Sequence, residues 1–123
     1  MIATRKQLSI LYTLLENTTF KWNNIVKVNN IYNSIENICV KTDDLRFDIQ
    51  TKFKDEVENI NKEDKKEVKK LEKKYIKQIK DVEDEKVELE EITDLKEIFE
   101  NNLDFKWKVN IENMIEFYNN NIK

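Results

Sequence analysis

Seven carboxylates crowd into eleven residues of this chain: Asp81, Glu83, Asp84, Glu85, Glu88, Glu90 and Glu91, against the single Lys86. Such a run could hold a divalent cation, imitate the phosphates of DNA, or supply paired acids for glycoside hydrolysis. Each of these needs more than charge. An EF-hand loop requires fixed ligand spacing and a turn glycine, and the run has neither. Paired catalytic acids need a cleft around them, which nothing in the sequence indicates. The plainer reading is a polar helix end running into a strand whose charges protect its edge.

Just upstream, residues 62 to 80 hold nine lysines against four acids, with ladders at Lys66, Lys70, Lys74 and at Lys69, Lys73, Lys77. Lysine ladders can follow a phosphate backbone. Here arginine is missing from the segment and Glu67 and Glu72 interleave the lysines, as on a solvated helix face. Nucleic acid is therefore not an expected partner. Cys39 is the one cysteine. It cannot form an intramolecular disulfide, and its place after Ile38 in an apolar periodic segment predicts a buried core residue rather than a reactive thiol.

The 123 residues include no glycine, no proline and no histidine. Phosphate-cradling loops, dinucleotide fingerprints and strained nucleophile turns need glycine, because only a residue without Cβ takes positive φ freely or lets backbone approach a ligand closely. Histidine is the usual general base near neutral pH and a common metal ligand. The sequence thus predicts no enzyme, no catalytic residues, no metal and no cofactor. Its 22 basic and 25 acidic side chains nearly cancel, leaving a net charge of −3 that selects no partner.

The elements that remain are mainly helical. Thr4 and Gln7 have capping-box spacing, and Leu8, Leu11, Leu14 and Leu15 recur on one face, so a short helix is predicted over residues 5 to 16. The apolar stretch Leu8 to Leu15 is too short to span a bilayer, and no signal peptide or membrane segment is expected. A second helix is predicted from about 24 to 59, or roughly 54 Å. Val28, Ile31, Ile35, Ile38, Thr42, Leu45 and Ile49 alternate spacings of three and four, as in a packed seam, and Phe53, Val57 and Ile60 continue the stripe. Asn59 and Asn61 break it, with Asn61 as the expected N-cap of a third helix over 62 to 86 carrying Val68, Leu71, Tyr75, Ile79 and Val82. The third helix is expected to fold back on the second as a long antiparallel hairpin.

After Lys86 the period changes to two. Val87 and Leu89 alternate with Glu88 and Glu90, and Leu103, Phe105, Trp107 and Val109 alternate with Asp104, Lys106 and Lys108. The expected fold is therefore mainly α: a hairpin over 20–86, a short N-terminal helix, and a small C-terminal two-stranded β element with a terminal helix over 87–123, all in one domain. The second helix outruns the third, so Ile25, Val28, Ile31, Tyr32 and Ile35 need cover from the first helix, the C-terminal element or another chain. With Trp22, Phe105 and Trp107, whose default place is the core, they are the candidate protein-interface residues.

In order, these elements resemble the small uncharacterised helical-hairpin proteins of tailed bacteriophages. The resemblance rests on Leu8-Ser9-Ile10-Leu11-Tyr12, the long helix through Ile35-Glu36 to Arg46 and Lys52-Phe53, the strand Val87-Glu88-Leu89-Glu90, and the helix at Ile111-Glu112-Asn113-Met114. The chain departs from that group in lacking its glycine turn after the hairpin and its proline before the last helix. Sixteen Asn and twenty Lys against two Arg fit the AT-rich codon bias of such an origin. The resemblance implies a virion or assembly protein in the virion or host cytoplasm, packing against virion proteins or itself, for example as a ring or adaptor near the portal or tail. The alternative is a phage-encoded inhibitor that binds a host defence or nucleic-acid enzyme through the acidic stretch 81–91.

Overall fold

A computed structural model describes residues 1–17, 24–92 and 120–121. It is mainly helical, in the order β1 (Ile2–Thr4), α1 (Arg5–Asn17), α2 (Ile25–Glu58), α3 (Lys65–Glu83) and β2 (Lys86–Glu88). The capping box forms as its spacing predicts. The Gln7 N–H donates to Thr4 Oγ1 at 3.1 Å, and the Thr4 N–H donates to Gln7 Oε1 at 3.0 Å, so two backbone donors at the start of α1 are satisfied reciprocally.

The break between α2 and α3 falls where the asparagines place it, but the cap does not. Asn61 Oδ1 accepts from the Glu63 N–H at 3.1 Å and organises the preceding turn. Asp64 is the N-cap, accepting from the Lys66 N–H at 3.1 Å and the Glu67 N–H at 3.4 Å. Both residue types make this bond, and Asp64 occupies the position because Asn61 is spent on the turn. Replacing Asp64 with alanine should lower the unfolding free energy by about 1 kcal/mol. Asn61→Ala should cost less, and urea melts of the two variants compare them.

The expected small two-stranded sheet is present, and the partner it shows for β2 comes from the N-terminus. Among the described residues β2 pairs with the N-terminal β1, antiparallel, in the register Ile2↔Glu88, Ala3↔Val87 and Thr4↔Lys86. The ladder continues at its ends, with the Leu89 N–H donating to the Met1 carbonyl at 2.9 Å and the Arg5 N–H donating to the Glu85 carbonyl at 3.0 Å. The outer edge of β1 is occupied by side chains. The Ile2 N–H donates to Asn121 Oδ1 at 3.2 Å and the Thr4 N–H to Gln7, which blocks further strand pairing there. The expected strand over 103–109 and the terminal helix lie outside the described residues.

The core sits where α1 and β1 cover the first half of α2. Ala3, Leu8, Leu11, Leu15, Val28, Ile31, Ile35 and Cys39 form one buried cluster, with Val87, Leu89 and Ile92 packed against it. Further along, Leu45, Ile49, Phe53, Val57 and Ile60 are only half-buried, and so are Val68, Leu71, Tyr75, Ile79 and Val82 on α3. Contacts between these two helices step from Lys74–Glu56 at 3.3 Å through the Phe53 and Tyr75 rings at 4.6 Å to Arg46–Glu83 at 3.7 Å. Among the described residues no third layer covers these two helices, so their seam is half open to water, and burial is complete where α1 is added.

Candidate functional site

Charge and apolar surface are the two resources this chain could use, and the fold separates them. The charges meet where the start of α1, the middle of α2 and the end of α3 converge. Arg5 Nε donates to Glu85 Oε2 at 2.9 Å and Arg5 Nη1 to Thr42 Oγ1 at 3.2 Å. Glu83 lies between Lys6 at 3.7 Å and Arg46 at 3.7 Å, and Arg46 also reaches Asp43 at 3.3 Å. The only two arginines of the chain are therefore both at this joint. Their planar, multi-donor heads suit bridging of several acceptors better than lysine does.

Thr42 explains itself here. It holds a seam position but is polar and fully buried. Its hydroxyl donates to the Ile38 carbonyl at 2.8 Å while accepting from Arg5. A satisfied polar group in an apolar seam fixes register, since sliding α1 along α2 would strand it.

The acidic stretch is thereby divided. Glu83 and Glu85 are engaged with Arg46, Lys6 and Arg5, and Asp84 ends α3, its N–H bonded to the Lys80 carbonyl at 2.9 Å. Asp81, Glu88, Glu90 and Glu91 are exposed. Reversing Glu83 and Glu85 would unseat the joint, so the acidic surface is tested cleanly only at Glu88, Glu90 and Glu91. Among the described residues, no group of three or more Cys, Asp or Glu side chains is placed to hold a metal ion. A cavity of about 390 Å³ beside β1 is lined by Met1, Ile2, Ala3, Thr4, Gln7, Lys86, Asn120 and Asn121. These described residues include no acid–base pair.

Three of the candidate interface residues prove to be core. Val28, Ile31 and Ile35 are buried against α1, because the leucine face of α1 supplies the cover they need. Tyr32 stacks on Tyr12 with ring centroids 4.3 Å apart, and its hydroxyl donates to Glu16 Oε1 at 2.7 Å and is hydrogen-bonded to the Tyr12 hydroxyl. Those bonds, to Tyr12 first and then to Glu16, raise its pKa above the ordinary tyrosine value. Ile25 stays at the surface, 36% exposed. Trp22, Phe105 and Trp107 lie outside the described residues.

Cys39 is in the core, its thiol donating to the Leu8 carbonyl at 3.5 Å. Burial, with the nearby Asp43 charge, pushes its pKa up from 9.0 to about 11. The thiol is protonated in both folded and unfolded chains below pH 9. Above that the unfolded chain releases its proton while the folded one keeps it, so stability should fall from pH 9 towards 11. Thermal melts should show that decline, and Cys39→Ala should make it shallower. A disulfide reagent at neutral pH should label Cys39 only as fast as the core opens.

The apolar surface that sequence reasoning missed lies on the outside of the helices. Val26, Val40 and Phe47 are exposed on α2, Phe47 to 67%, and Ile76 on α3 is 64% exposed. Val40 follows Val26 by fourteen residues and Phe47 follows Val40 by seven. That spacing keeps all three within about 60° on the helix surface. The signal was in the sequence as a second, weaker heptad register, interrupted by Asn33 and masked by the longer one that forms the seam.

Among the described residues, no helix is long and apolar enough to cross a membrane. No protein-family model, curated protein or solved structure matches the chain.

Proposed function

We propose that this chain is a non-enzymatic structural or assembly protein of a tailed phage, acting in the virion or the host cytoplasm by packing its helices against other proteins. The observation that carries this reading is the outer stripe Val26, Val40 and Phe47 on α2. Single exposed apolar residues are ordinary, but a large aromatic at the end of an aligned stripe suits an interface anchor. In this reading α2 and α3 form an antiparallel hairpin. The ordered contacts Lys74–Glu56, Phe53–Tyr75 and Arg46–Glu83 support it. The charged joint at Arg5, Thr42 and Glu83 gives the hairpin a fixed attachment to α1, which a rigid packing element requires. A phage whose copy of this gene is interrupted should yield incomplete particles by electron microscopy. Complete particles in normal number would overturn the assembly role.

A further inference from the structure

The two exposed anchors sit in opposite electrostatic surroundings. Phe47 has Asp43 and Asp44 four and three residues before it on α2. Ile76 has Lys73 three residues before it, Lys80 four residues after it and Lys69 two turns back on α3, against the single acid Glu72 four residues before it. Residues at these spacings are surface neighbours on a helix. One chain thus carries an aromatic anchor with two acids within one turn, Lys54 following two turns on, and an aliphatic anchor with lysines in excess over Glu72, and both remain largely exposed within that chain.

We propose that the occupant of the Phe47 surface is the Ile76 surface of a second copy of this chain. This rests on the reading of the chain as a packing component and names its first partner. The apolar pair provides the desolvated centre of the contact, and the lysines of one copy face Asp44 of the other, Asp43 being shared with Arg46 of its own chain, which sets register and excludes like-charged alternatives. The 34 residues of α2 extend about 51 Å. That length accommodates a standard interface of about 800 Å² per partner.

Sedimentation velocity on the full chain tests the contact. The wild type should associate reversibly at micromolar concentration, and added salt should weaken the association. Phe47→Ser and Ile76→Ser should each weaken it by about tenfold or more. Both positions are exposed, so circular dichroism should show unchanged folding. Asp44→Lys and Lys73→Glu should each lose association alone, and an equimolar mixture of the two should regain it. A wild type that stays monomeric at every concentration overturns the proposal, as do Phe47→Ser and Ile76→Ser variants that associate undiminished. Particle assembly is read separately, so a monomeric chain whose loss still yields incomplete particles would sink the self-contact and leave the packing role standing with a different partner.

Discussion

Replacing Leu11 with alanine lowers the unfolding free energy by about 3 kcal/mol, within the range of about 2–5 kcal/mol for buried leucine truncations. Leu11 is fully buried in the cluster that joins α1 to α2. Among the described residues that cluster has eight buried members, and the deletion leaves a cavity among them. Against a typical total of about 5–15 kcal/mol, the loss is large enough to move the urea midpoint far. Leu71→Ala provides the contrast. Leu71 faces the half-open seam between α2 and α3, where water already reaches the side chain, so its truncation should cost about 1 kcal/mol. Equal costs at the two sites would mean that stability is spread evenly along α2 rather than concentrated under α1.

The second large effect is expected at the joint. Arg5→Ala should destabilise by about 2 kcal/mol, because it removes two charge-assisted bonds and leaves the Thr42 hydroxyl buried without one of its partners. The Arg5 side chain is 14% exposed while Glu85 is 54% exposed. Glu85→Gln should therefore cost less, since water can replace what the carboxylate did. Arg5→Lys should restore little, because one ammonium cannot reach both acceptors in the guanidinium geometry. A double-mutant cycle of Arg5→Ala with Thr42→Val, followed by urea unfolding, should give a coupling of about 1 kcal/mol. A coupling near zero would show that the two side chains do not support each other.

Local signals in the sequence found the helices. The Thr4/Gln7 box and the leucines behind it locate α1, and the heptad stripe from Val28 locates α2 to within a residue at each end. The third helix is shorter than its pattern, Lys65–Glu83 against an expected 62–86, because Asp64 rather than Asn61 takes the cap and Lys86 is already in β2. What sequence could not supply was long-range pairing. β1 is three residues ahead of a helix, too short for alternation to show, and its partner lies more than eighty residues away. The burial of Val28, Ile31 and Ile35 depended likewise on which element covers them, and both α1 and a second chain satisfied the pattern.

The charged joint was not legible. Two arginines beside twenty lysines read as codon bias, and only the fold shows that Arg5 and Arg46 stand where a planar, multi-donor head matters. Their partners Glu83 and Glu85 were instead read as part of one acidic surface, because net charge along a segment does not reveal which carboxylates face inward. Phe47 and Ile76 were missed for a related reason. A helix pattern ranks faces by their apolar content, and the weaker stripe becomes visible only after the stronger one has been covered.

The central claim, that the chain works by packing into a larger protein assembly, is tested most directly by quantitative mass spectrometry of purified phage particles. A fixed, stoichiometric copy number relative to the major virion proteins is the predicted result. Its absence from both mature particles and assembly intermediates, with the chain abundant in infected-cell lysate, would contradict the claim.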